Sequence, residues 1–137
     1  MEDSLHREIL EEHARNPGHQ EDLAGVTLAG SFTSRKTGNR CTVRIVSLDA
    51  RIESVQAKAE GSALAIACAS LMGSEIEGKS LEDASRLGLG VSLYLEGKGN
   101  LSLSGDLVAY ESIVRFPERH DCALLGWRAL LLTLEQA

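Results

Sequence analysis

Aromatic side chains are scarce in this chain: Phe, Trp and Tyr together make up 4% of its 137 residues. That argues against the stacking platforms on which single-stranded nucleic acids are bound. Cations are also in short supply, 14 Lys and Arg against 20 Asp and Glu, for a net charge of -6. That balance argues against a surface built mainly for nucleic acid or for an anionic membrane, and leaves room for a local basic patch. No apolar run approaches the roughly 20 residues that span a bilayer. The start, MEDSLHREILEEH, is acidic and polar, unlike a secretory leader. The three cysteines, Cys41, Cys68 and Cys122, form no CxxC pair. Far apart and odd in number, they fit a reducing cytoplasm better than a disulfide framework.

What is present reads as one domain, 1–137, long enough to bury a core. Ser4 to Asn16 predicts a helix with Leu5, Ile9 and Leu10 as its apolar stripe and Asp3 or Ser4 as its cap. Asn16-Pro17-Gly18 ends it. His6 and His13, seven apart, share a face and read, with His19, as solvated histidines rather than metal ligands. Val26 to Ser34 predicts a first strand, and Arg35 to Arg40 a turn. Cys41 to Val46 alternates, with Cys41, Val43 and Ile45 on one face. Asp49-Ala50 turns the chain back into Ile52 to Ala59, where Val55, Ala57 and Ala59 share a face.

The most informative stretch is Glu60 to Ser80, EGSALAIACASLMGSEIEGKS. It leaves a strand through Gly61-Ser62 and becomes a thin helix of small residues. A turn into a helix exposes backbone N–H groups and can aim a side chain. Ser80 with Asp83 marks the start of another helix, to Glu96, whose middle Gly88 and Gly90 weaken. A loop follows over Gly97 to Gly105, then a short helix to Val114. Phe116-Pro117 breaks it, and Glu118 to Gln136 predicts a last helix with a broad leucine-rich face. Helix, then strands, then helices is the α+β pattern: an antiparallel sheet of about three strands with helices on one face.

Chemistry concentrates at three element ends: Thr37-Gly38-Asn39, Gly61-Ser62, and His120-Asp121-Cys122. In a meander covered by helices such ends can converge at one edge of the sheet. Each has a plain structural reading as well. Ser62 caps a helix, Thr37 and Asn39 are ordinary turn residues, and Cys122 is either a reactive thiol or a small buried apolar side chain. A hydrolase built on Ser62 and His120 has no GxSxG elbow to support it. The glycine-rich loop lacks a Walker lysine.

Leu5 to Pro17 (LHREILEEHARNP), Glu60 to Lys79 and Phe116 to Trp127 (FPERHDCALLGW) together resemble the U-type iron–sulfur cluster scaffold family, the group of NifU N-terminal domains, IscU and SufU. The insertion from about Leu87 to Gly105 resembles the SufU-like branch. The resemblance implies a role in iron–sulfur cluster assembly, as a scaffold or binding module more than as an enzyme. It implies a cluster or a zinc ion as cofactor and a cysteine desulfurase or other assembly protein as partner, and it leaves a homo-oligomer open. The family's ligands are three cysteines and an aspartate. Of these only Cys122 is kept; Thr37, Asn39 and Ser62 stand at the other three positions. His120 and Asp121 could add ligands, although adjacent helical residues point about 100° apart. The alternatives are a metal-free module that engages a desulfurase, or a sulfur acceptor using Cys122.

Overall fold

The computed structural model describes residues 3–137. Its order is helix α1 (Ser4–Arg15), strands β1 (Leu28–Thr33), β2 (Arg40–Leu48) and β3 (Arg51–Glu60), then helices α2 (Ala63–Ile76), α3 (Leu81–Leu95), α4 (Tyr110–Ile113) and α5 (His120–Leu134). Short 3-10 turns lead into α4 and α5. The strands form one antiparallel meander, β1-β2-β3. Helix α5 packs on β1 and β2, and α2 on β3; α1 then rests on α2, and α3 on α5. This is the expected α+β fold with its helices on one face.

Alternation places the sheet's inner face as expected: Cys41, Val43, Ile45, Val55 and Ala57 are buried. Cys41 lies opposite Ala59, Val43 opposite Ala57 and Ile45 opposite Val55. The β2–β3 turn has Asp49 and Ala50 at φ 52 and 59, the left-handed pair that a two-residue hairpin requires. Past Val46 the register shifts, which leaves Glu53 as an extra residue in β3. Such a bulge reverses the side-chain phase, and Ile52 turns inward and is fully buried. Alternation alone puts Ile52 on the wet face.

Helix α2 is buried on nearly every side, from Ala65 through Gly73 to Ile76. Its alanines let α5 come close: a Cβ added to Gly126 would stand 3.1 Å from the Ala69 Cα. Helix α3 runs unbroken through Gly88 and Gly90 despite their poor propensity. Gly88 is the point where α3 meets Leu131 and Trp127 of α5, so packing outweighs propensity.

The histidines are not solvated. His6 is buried, with Nδ1 2.6 Å from the Ser112 hydroxyl. His13 bonds the Ser70 hydroxyl through Nδ1 at 2.8 Å and Asp106 through Nε2 at 2.7 Å. His19 reaches the Val55 carbonyl, and Glu77 at 3.3 Å. The inner stripe of α1 is therefore His6, Leu10 and His13, while Leu5 is 56% exposed. The surface under α1 carries Ser70 and Ser112, whose hydroxyls need polar partners. Their distance in sequence hides that need.

Candidate functional site

Three element ends converge on one sulfur. Gly61 leaves β3 at φ 130, a conformation glycine tolerates. Ser62 caps α2, its Oγ accepting from the Ala65 N–H at 3.2 Å. The same hydroxyl points at Cys122 and donates to its Sγ at 3.3 Å. From the β1–β2 turn, the Asn39 amide nitrogen reaches the Cys122 Sγ at 3.5 Å and the Ser62 Oγ at 3.4 Å. A Cβ on Gly61 would lie 2.0 Å from the Asn39 Oδ1, so this arrangement needs glycine there.

The Cys122 sulfur is thus half-buried and faces two neutral hydrogen-bond donors. The other thiols differ. Burial pushes Cys41 up to about 12 and, as the main cause, Cys68 up to about 12 as well. Both are closed off from solvent and carry no chemistry at ordinary pH.

Thr37 joins the site at its rim. Its hydroxyl donates to Asp121 Oδ2 at 3.4 Å and accepts from the Asn39 N–H at 3.2 Å. Asp121 is turned toward the β1–β2 turn and along its own helix. Its Oδ2 accepts from the Ser34 hydroxyl at 2.6 Å, and its Oδ1 from Arg128 at 2.8 Å. Burial alone would raise this carboxyl. The hydrogen bonds from Ser34 and Arg128, the Arg128 charge and the Thr37 bond outweigh it and hold the group below its ordinary value. His120 turns to the Val114 carbonyl, 3.2 Å away. Neither His120 nor Asp121 is bonded to the sulfur, as expected of neighbours fanned around one helix turn.

Ser34 and Arg128 escape a reading of motifs. Ser34 is buried and its Oγ accepts from the N–H groups of Lys36 and Thr37, both at 3.2 Å. That is the local serine turn, and a serine heading a polar turn is its signal. Arg128 lies seven residues past Asp121, on the same face of α5.

Zinc and iron–sulfur clusters are held chiefly by thiolates and imidazoles, with carboxylates as further ligands. The donors gathered here are one thiol, one hydroxyl that caps a helix, and an amide whose nitrogen, which is no ligand, faces the sulfur. Both oxygens of the nearest carboxylate are engaged. Among the described residues, no three His, Cys, Asp or Glu side chains group to hold an ion. The residues present do not fit such a group.

The family model for the NifU-like N-terminal domain matches residues 5–136. The chain is 28% identical over 131 residues to the zinc-dependent sulfurtransferase SufU of Bacillus subtilis, covering 93% of this chain and 88% of that protein. It is 26% identical over 128 residues to the iron–sulfur cluster assembly scaffold protein IscU of Streptococcus pyogenes serotype M1, covering 92% and 80%. Solved structures share the fold. One is from Fervidobacterium islandicum AW-1, a protein assigned as an assembly scaffold for the SUF system (TM-score 0.84, 19% identity, 93% and 94% covered). Another is a NifU-like N-terminal protein from Brucella abortus (TM-score 0.82, 20% identity, 93% and 90% covered). The chain belongs to the NifU-like N-terminal domain family, among the iron–sulfur cluster assembly scaffold proteins.

Proposed function

We propose that this chain serves iron–sulfur cluster assembly as a metal-independent sulfur acceptor, with Cys122 as the working thiol and a cysteine desulfurase as donor. One observation carries the reading: the only thiol that is not fully buried has two hydrogen-bond donors, Ser62 and Asn39, directed at its sulfur. A scaffold that holds zinc or a cluster would need ligands there. A persulfide anion, which is a soft acceptor, needs donors.

The step conserves atoms and electrons. The Cys122 thiolate attacks the outer sulfur of the donor's R–S–SH. A new S–S bond forms at Cys122, the donor's S–S bond breaks, and the donor leaves as R–S⁻. Any proton that Cys122 carried at the start passes to the leaving thiolate or to water. The sulfane sulfur is relocated with no net redox change. Thr37 and Asp121 do not touch sulfur in this step; they hold the turn that carries Asn39. Such chemistry needs a reducing compartment, and we place the protein in the cytoplasm.

The experiment is persulfide transfer from a cysteine desulfurase supplied with cysteine, in the presence of a chelator. Uptake should persist with the chelator and vanish in Cys122→Ala. A second reading, a metal-free docking module, is favoured if Cys122→Ala binds the desulfurase normally while the wild-type chain takes up no sulfur.

A further inference from the structure

We propose that Asp121 is a positioning residue for Cys122: it fixes the 34–39 turn so that Asn39 is held against the sulfur. The inference deepens the sulfur-acceptor reading and rests on it only for the transfer step. Asp121 and Cys122 are consecutive residues in the first turn of α5, and each receives a different part of the same turn. Asp121 Oδ2 takes the Ser34 hydroxyl at 2.6 Å and the Thr37 hydroxyl at 3.4 Å. Ser34 in turn holds the Lys36 and Thr37 N–H groups and bonds the Asn39 carbonyl through its own N–H at 2.8 Å. Thr37 holds the Asn39 N–H. The chain of bonds therefore runs from the carboxylate through the turn to the amide on the Cys122 sulfur.

Two effects of opposite sign meet at Asp121. Its negative charge works against an anion on the neighbouring sulfur. Its hydrogen bonds place a donor on that same sulfur. Arg128, 2.8 Å from Oδ1, already offsets the charge, so positioning should win. Both oxygens are needed, one for Arg128 and one for the turn. Asparagine offers one acceptor and cannot serve both.

The test is the alkylation rate of Cys122 by iodoacetamide in the folded full chain, with donor-dependent persulfide transfer measured beside it. Asp121→Asn and Ser34→Ala should each slow alkylation about fivefold, the worth of roughly one hydrogen bond. In an Asn39→Ala background the same changes should alter the rate by less than about twofold, because the effect passes through Asn39. In transfer, the single-turnover rate at saturating desulfurase should fall while the half-saturating desulfurase concentration is unchanged, since Asp121 faces inward. An Asp121→Asn rate equal to or above wild type would overturn the proposal, with charge outweighing position. So would effects undiminished in the Asn39→Ala background. If Asp121→Asn fails to fold, Ser34→Ala, which leaves the Asp121–Arg128 pair in place, decides alone. If alkylation follows this pattern while even the wild-type chain takes up no sulfur, the acceptor reading falls and the positioning role stands.

Discussion

Gly61 shows how narrowly single residues set this site. Its φ of 130 and the 2.0 Å approach of Asn39 Oδ1 leave no room for a side chain. Gly61→Ala should cost about 2 kcal/mol by thermal melting, from backbone strain and the displaced amide. It should also change the alkylation rate of Cys122, which loses a donor. Cys41 and Cys68 give a contrasting expectation. Both are buried, so a thiol reagent should label Cys122 in the native protein and reach the other two only on unfolding. Equal labelling of all three in the folded state would contradict this. The burial of Cys41 was legible from strand alternation, and that of Cys68 from its place in an alanine-rich helix. Whether Cys122 was reactive or buried was not legible, because the answer lies in side chains 60 and 83 residues away. The role of Asp121 was hidden for the same reason: Ser34 is 87 residues off.

Among the elements, the α2–α5 contact is tightly constrained. Gly126 faces Ala69 across it at 3.1 Å for an added Cβ, with Met72 Sδ at 3.5 Å. Gly126→Val should push the helices apart and destabilise by about 1–3 kcal/mol, read as a lower midpoint in urea. An unchanged midpoint would mean the helices can slide without loss. The strands and the order of elements follow from periodicity and turn residues, and the structure keeps them. The β3 bulge was not legible, since one extra residue leaves no mark on composition. Nor was the inward face of α1. Apolar periodicity points to Leu5, Ile9 and Leu10, whereas the helix buries His6 and Leu10 and satisfies Ser70 and Ser112 through His13 and His6. A polar docking face cannot be told from a wet one until its partners are known.

At the scale of the whole molecule, the buried thiols set an alkaline limit. Cys41 and Cys68 ionise near 9 when unfolded and near 12 when folded. Below pH 9 both states hold the protons and stability is unaffected. As pH rises through 9 toward 12 the unfolded chain releases protons that the folded chain keeps, so stability falls. Two such groups give a slope of about 3 kcal/mol per pH unit. Burial also raises Tyr110, which adds to the loss above about pH 10. Denaturant midpoints measured from pH 8 to 11 check this, and Cys68→Ala should flatten the slope. A flat profile in the wild-type chain would contradict the closed core.

The family's fold is kept, and the proposed function rests on Ser62 and Asn39 as donors to the Cys122 sulfur. Native mass spectrometry tests that most directly. The full chain, exposed to a cysteine desulfurase and cysteine with zinc and iron present, would be weighed intact and then mapped by peptide. The expected mass is that of the chain plus sulfur, with the added atom on Cys122 and no metal retained. Stoichiometric zinc or an iron–sulfur cluster on the folded chain, with Cys122 free of added sulfur, would contradict it.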